Sequence, residues 1–301
     1  MAKAIIFGAS GQDGYYLNEL LILKGIEVIP VSRFGGFKKG DVSDSAFVEN
    51  LIKQECPEYI FHFAARSTTN HNALKENHNS ISFGTLNILE SARIYSPHSR
   101  IFLSGSALQF KNNSTPINEE TPFCASSAYS TERIYSVYLG RYFRQAFNMK
   151  IYFGYLFNHD SPLRTENHIN KLIVSTVTKI KNGSLEKLKI GDPYVKKEFS
   201  FAGDIVNAIW ILVNQENYFE TVIGSGKAYK ISELLEYCFL KISRKWEDYV
   251  SIDPAFKSDY EILVSDPAKI KMLGWNPTVS FTDLADMMMR NELLISDKRI
   301  N

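Results

Sequence analysis

Lys3-Ala-Ile-Ile-Phe-Gly8-Ala-Ser-Gly11-Gln-Asp-Gly14-Tyr15-Tyr-Leu-Asn-Glu-Leu-Leu-Ile-Leu23 opens the chain almost from its first residue. An apolar run ends in three glycines spaced three apart, and an amphipathic run follows. That order describes a buried strand, a tight turn and a helix whose N-terminus faces a pyrophosphate. Gly8 allows the turn, Gly11 lets the backbone come close to phosphate oxygens, and Gly14 lets the helix pack on the strand. Glycine spacing by itself also fits an ordinary turn. The strand before it and the helix after it turn the spacing into a nucleotide-cofactor signal.

Outward from there, strand-like runs recur at Ala4–Phe7, Glu27–Val31, Tyr59–Ala64, Arg100–Leu103 and Lys150–Tyr155, with helical stretches between them. Apolar, β-branched and aromatic strands alternating with helices predict βαβ units and a parallel sheet covered on both faces. After Tyr155 the pattern changes. Helices are expected at about Lys171–Lys181, at Ile205–Val213 and at Ser232–Leu240, the last with Ser232 as N-cap. Asp266-Pro-Ala-Lys-Ile-Lys-Met-Leu-Gly274-Trp-Asn-Pro277 reads as a short helix stopped by Gly274. The expected fold class is α/β: a Rossmann-like doubly wound parallel sheet over residues 1–155, and a smaller mixed α/β substrate domain over 156–301. The chain is expected to return to the sheet around 196–223.

Charge argues against some partners. Over 301 residues, Lys plus Arg number 34 and Asp plus Glu 33, so there is no basic field for nucleic acid or a membrane surface. With no long apolar run and no leader-like start, a soluble cytoplasmic protein is expected. Cys56, Cys124 and Cys238 are odd in number and far apart, which predicts neither disulfide nor metal site.

The second strand should end in the group that reads the adenosine ribose, acidic for NAD or with an Arg nearby for NADP. Here it ends Val31-Ser32-Arg33. Arg33 leans towards NADP as a phosphate clamp, or stacks on the adenine or is solvated. Asp41-Val42 suits the two sides of an adenine, and Phe63-Ala64-Ala65 offers small side chains where a dinucleotide crosses the sheet. The catalytic candidates are Leu103-Ser104-Gly105-Ser106-Ala107 and Tyr129-Ser-Thr-Glu-Arg133. Tyr129 and Arg133 are four apart on one helix face. A cation at that spacing favours phenolate over phenol, as a base for a sugar hydroxyl requires.

Together these residues resemble the extended short-chain dehydrogenase/reductases, in the branch of the GDP-mannose 4,6-dehydratases. Gly11-Gln-Asp-Gly14 matches its opening. Leu156-Phe-Asn-His159-Asp-Ser-Pro162 resembles a family signature, as do Lys187-Leu-Lys-Ile-Gly191 through Lys197-Glu-Phe-Ser-Phe-Ala-Gly-Asp204, Asp266-Pro267 and Leu273-Gly-Trp275. The resemblance implies a nicotinamide cofactor, NAD in preference to NADP, and a GDP-sugar substrate. It places Ser10, Gly11, Gln12 and Asp13 at the pyrophosphate, and Ser67, Leu103, Tyr155, His159 and Arg164 along the cofactor. Gly105, Ser106, Asn158, Lys171, Lys197 and Asp259 are implied on the substrate side. The family's long arginine-serine loop is shortened here to Arg33-Phe-Gly-Gly-Phe-Lys-Lys39. Assembly as a homodimer, through the helices following Ser82 and Ser127, or as a homotetramer is implied.

Three departures from the family pattern bear on chemistry. The family's Thr falls on Gly105, its acid/base Glu on Ala107 and its Lys on Arg133. A 4,6-dehydratase needs a base for the carbon 5 proton and an acid for the leaving hydroxyl, and neither Gly105 nor Ala107 supplies one. The expected activity is therefore oxidation of carbon 4 of a GDP-linked sugar without dehydration. GDP-D-glycero-α-D-manno-heptose is the best candidate, as in the heptose 4-dehydrogenases of capsule biosynthesis. Tyr129 would take the hydroxyl proton, Arg133 would favour its phenolate and grip the nicotinamide ribose, and Ser104 or Ser106 would orient the sugar oxygen. Such a cycle calls for a second small-molecule oxidant or exchange of cofactor. The alternatives are a true 4,6-dehydratase, a 4-keto-sugar reductase and a non-catalytic nucleotide-binding subunit.

Overall fold

The computed structural model describes residues 1–293; the last eight residues of the expected second domain lie outside them. In β1 (Lys3–Phe7), successive side chains alternate between two cores. Ile6 faces one and Ile5 and Phe7 the other, which only a strand buried on both faces allows. Then come α1 (Gln12–Leu23), β2 (Glu27–Ser32), the short β3 (Lys38–Lys39), α2 (Ser45–Glu55), β4 (Tyr59–His62), α3 (Leu74–Asn77), α4 (Gly84–Tyr95), β5 (Arg100–Ser106), α5 (Ala128–Phe147) and β6 (Lys150–Leu156). Beyond them lie β7 (His159–Asp160), α6 (Ile169–Lys181), β8 (Leu188–Ile190), β9 (Lys196–Glu198), β10 (Ser200–Phe201), α7 (Ala202–Val213), β11 (Glu220–Ile223), β12 (Ala228–Lys230), α8 (Ile231–Leu240), β13 (Val250–Ile252), β14 (Ile262–Leu263), α9 (Ala268–Met272) and α10 (Phe281–Arg290).

Seven strands form one parallel sheet in the order β11-β6-β5-β4-β1-β2-β3. Strand order reverses between β1 and β4, and in open α/β sheets a ligand binds at the carboxyl ends beside such a reversal. Helices α1 and α7 cover one face through Leu17, Leu20, Ile205 and Ile209. Helices α2, α4 and α5 cover the other through Leu51, Ile88, Leu89 and Val137. The small sheets, β9 between β12 and β14, β7 beside β10 and β8 beside β13, lie outside this sheet. No helix among the described residues is long and apolar enough to cross a membrane.

Several boundaries differ from expectation for local reasons. The Tyr59 strand ends at His62 rather than Ala64, because Gly8 closes on the backbone there: a Cβ on Gly8 would lie 2.6 Å from the Ala64 nitrogen. The strand starting at Arg100 runs on to Ser106, with Ser104, Gly105 and Ser106 in register with Gly154, Tyr155 and Leu156. Helix α8 begins at Ile231, not at Ser232. Lys230 is its N-cap residue, and its N–H is satisfied by the Glu233 carboxylate at 2.6 Å. Gly274, at φ +91°, ends the turn after α9 as expected.

Candidate functional site

Two cavities meet at the reversal. The smaller, about 220 Å³, is lined by Gly8, Ser10, Gly11, Ser32, Arg33, Asp41, Val42 and Ala64. The larger, about 970 Å³, takes in Asp13, Ser67, Ser104 to Leu108, Tyr129, Arg133, Asn158, His159, Arg164 and Asp259. Phe63 and Ala65 belong to both walls, so the cavities form one groove along the carboxyl ends of the strands.

The glycine turn fits a dinucleotide. Gly8 holds φ +92°, and a Cβ on Gly14 would sit 2.5 Å from the Gly8 carbonyl oxygen. Both are required by the protein's own packing. At Gly11 the nearest protein atom to an added Cβ is 3.5 Å away, an ordinary contact. The space beside Gly11 therefore belongs to the cavity and leaves bare backbone open at the start of α1, as a phosphate contact there would require.

At the adenosine end Ser32 Oγ donates to Ser10 Oγ at 2.7 Å. Asp41 Oδ1 accepts from the backbone N and Oγ of Ser43, and Val42 packs against Gly84, whose Cβ would lie 2.8 Å from its methyl. Arg33 is paired with Glu76 at 3.1 Å and lies over the Phe34 ring, centroid 5.6 Å away.

At the other end, α5 is capped by Ser127, whose Oγ accepts from Ser130 N at 3.1 Å. One turn on, Arg133 Nε donates to the Tyr129 hydroxyl oxygen at 3.1 Å. Arg133 Nη1 donates to the Ser104 carbonyl and, at 2.8 Å, to Ser104 Oγ. Ser104 Oγ in turn gives its proton to the His62 carbonyl at 2.9 Å. Ser104 is thereby occupied in fixing the guanidinium. Ser106 Oγ only accepts, from Leu108 N at 3.2 Å, which leaves its proton for a ligand. A Cβ on Gly105 would meet the Tyr155 ring at 2.6 Å; Ala107 lines the cavity with a methyl.

The opposite wall is charged. His159 Nδ1 donates to the Phe157 carbonyl at 2.7 Å and Nε2 faces Asp13 Oδ1 at 2.8 Å. Burial pushes the His159 pKa down, but the Asp13 charge and hydrogen bond outweigh it and raise it. For Asp13, burial pushes the carboxyl up, yet His159, Arg164 and Arg133 hold it below the usual range. Arg164 pairs with Asp160 at 3.2 Å.

Other anticipated residues stand off the cavity wall. Gln12 ties α1 to the segment after β6, donating to the His159 carbonyl and accepting from Ser161 Oγ. Gly14 packs α1 on the turn, and Leu103 faces the core. Tyr155 lays its ring on Gly105 and its hydroxyl on Glu220 at 2.6 Å. Lys171 donates to the Pro162 carbonyl at 2.8 Å. Lys197 is buried, which pushes it down to about 8, with Asp160 and Arg164 as charged neighbours. The wall also holds residues not anticipated, among them Thr68, Asn70, His168 and Tyr260, from loops whose composition carries no signal. Burial, then Arg164, pushes His168 down to about 4. His62, also unforeseen, is buried behind Ser104 and pushed to about 3 by burial and then by Arg133.

A parallel sheet with its glycine turn at the strand reversal, and a Tyr-x-x-x-cation pair across the groove, define a dinucleotide-binding α/β protein of the extended short-chain dehydrogenase/reductase class. Within that class, a family model described as GDP-mannose 4,6 dehydratase matches residues 32–288, and the chain belongs to that family. It is 28% identical to GDP-mannose 4,6 dehydratase 1 of Arabidopsis thaliana, covering 98% of this chain and 91% of that protein. It is also 28% identical to the GDP-mannose 4,6-dehydratase of Sinorhizobium fredii (strain HH103), covering 96% of each. Among solved structures, dTDP-glucose 4,6-dehydratase from Bacillus anthracis in complex with NAD superposes with TM-score 0.85 at 16% identity, over 99% of this chain and 97% of that one. RMD from Pseudomonas aeruginosa complexed with NADPH gives 0.85 at 18% identity, over 97% and 98%. The structural likenesses establish the fold.

Proposed function

We propose that this protein is a nicotinamide-dependent oxidoreductase that takes carbon 4 of a GDP-linked sugar to the ketone, without eliminating water. The cofactor would be held by the Gly8–Asp13 turn, by Ser32 and Asp41 at its adenosine end and by Arg133 at the other; when bound, it supplies a hydride acceptor or donor. The Tyr129 oxygen, which accepts the Arg133 Nε–H, takes the hydroxyl proton of the sugar. Ser106 steadies the same sugar oxygen with its free proton, while Ser104 positions Arg133. Asn158 and Asp259 on the larger wall face the sugar nucleotide. GDP-D-glycero-α-D-manno-heptose is the first sugar to test and GDP-mannose the second. Turnover of this kind needs exchange of cofactor or a second small-molecule oxidant. A homodimer through α4 and α5 is supported by Tyr135, Tyr138 and Tyr142, which stand 48%, 58% and 58% exposed on α5.

The observation that carries this reading is the β5 wall, where Gly105, Ser106 and Ala107 offer a hydroxyl and a methyl but no carboxyl. Dehydration is the second reading. It is favoured by the relatives' printed names and by the His159–Asp13 pair, which lines the same cavity and holds a proton between an imidazole and a carboxylate. Mass spectrometry of the product separates the two: loss of two hydrogen atoms supports oxidation alone, loss of one water supports dehydration.

A further inference from the structure

The cation at the end of β2 is already engaged. Arg33 Nη2 lies 3.1 Å from Glu76 Oε1, and Arg66 Nη1 lies 2.9 Å from the other oxygen of that carboxylate. The three residues come from three segments: the end of β2, the loop after β4, and α3. Arg33 lines the smaller cavity and Arg66 the larger, on either side of the shared residue Ala65. Arg33 is the one cation lining the smaller cavity among the described residues; Lys38 and Lys39 are exposed and lie outside its wall. The remaining groups there are the Ser10–Ser32 hydroxyl pair and Asp41.

We propose that Glu76 determines cofactor specificity: by occupying Arg33 it makes the ribose end select a dinucleotide with a free 2′-hydroxyl over one with a 2′-phosphate. This rests on the dinucleotide-binding reading of the groove, and not on the sugar or the reaction proposed above. A 2′-phosphate needs a free cation. To gain Arg33 it must displace the Glu76 carboxylate or lie beside it, and like charges at that range disfavour binding. A 2′-hydroxyl needs only an acceptor, and Ser32 Oγ and Asp41 supply one. Arg66 and then Arg33 hold the Glu76 carboxyl below its usual range, so the charge persists at neutral pH. The side chains of Arg33, Glu76 and Arg66 are 47%, 33% and 61% exposed. Water and salt therefore screen the cluster, and the selection is several-fold rather than thousand-fold.

The test titrates nucleotide-free protein with NADH and with NADPH, following the fluorescence of the reduced nicotinamide. Wild-type protein should bind NADH more tightly. Glu76→Gln should tighten NADPH by about fivefold and leave NADH nearly unchanged, and added Arg33→Gln should erase that gain. A wild-type preference for NADPH, an equal change for both nucleotides, or a gain that survives loss of Arg33 overturns the proposal. Binding of neither nucleotide to folded protein overturns the groove reading along with it. Absence of GDP-sugar turnover bears only on the reaction, because the binding ratio is measured without it.

Discussion

At the smaller cavity, the wall comes mainly from the glycine turn after β1, the segment from Ser32 to Val42 and the residues just after β4, Phe63–Ala65, and the glycine turn shapes it through backbone: φ +92° at Gly8 and open space beside Gly11. At the reacting end the wall draws on α1, the loop after β4, the end of β5, α5, the β6–β7 corner and the segment around Asp259. Its polar groups are set by one another: Arg133 by Ser104, Ser104 by the His62 carbonyl, His159 by Asp13. The reacting end can change its chemistry by a few side chains while the fold is kept, and the proposal of oxidation without dehydration turns on three of them, Gly105, Ala107 and Arg133.

The contrast is broken most directly at Tyr129. Tyr129→Phe should lower turnover by about a hundredfold to ten-thousandfold, the range for one acid/base group, while nucleotide binding persists; steady-state kinetics beside nucleotide titration reads both. Retained turnover means that the base lies elsewhere. The glycines sharpen the other side. Gly14→Ala places a methyl 2.5 Å from the Gly8 carbonyl oxygen and should cost about 1–3 kcal/mol as overpacking, seen as a lower melting temperature. Gly11→Ala should leave melting unchanged and weaken nucleotide binding by about tenfold. Equal melting losses in both would show that Gly11 serves packing and not a ligand.

Behind the reacting end, Glu220 accepts from Arg141, Arg144 and the Tyr155 hydroxyl. Burial pushes its carboxyl up, but the hydrogen bonds of those three partners prevail and bring it down to about 2. A depressed folded pKa gives stability that is complete above the unfolded value, near 4.5, and lost as pH falls from there towards 2. Between pH 5 and 3.5 the loss should be about 1 kcal/mol from this group. Melting curves of wild type and Glu220→Gln should converge over that window; parallel curves would remove Glu220 as the cause.

Some features of the groove were legible in the sequence and others were not, for identifiable reasons. The glycine turn was legible because its constraints are local, and Tyr129 with Arg133 because a helix fixes residues four apart. Arg33 was not, since its partner Glu76 is 43 positions away and its engagement depends on the fold. Ser104 and Ser106 look alike in sequence; only the bonds to Arg133 and His62 distinguish the positioning hydroxyl from the free one. Gly105 reads as a lost threonine, yet Tyr155 fills the place a side chain would take. Restoring Thr there therefore collides with the ring, whereas Ala107→Glu adds a carboxyl on the cavity wall without changing Gly105.

From the amino-acid order alone came the alternation of buried strands and amphipathic helices, and with it the parallel sheet and the glycine turn, because periodicity and backbone freedom act over a few residues. Folding in three dimensions decided which charges are spent and which remain free. Hydrogen bonds here join positions far apart in the chain, 29 residues for Arg133–Ser104 and 149 for Gln12–Ser161, and such partners are chosen by packing and burial rather than by neighbours along the chain.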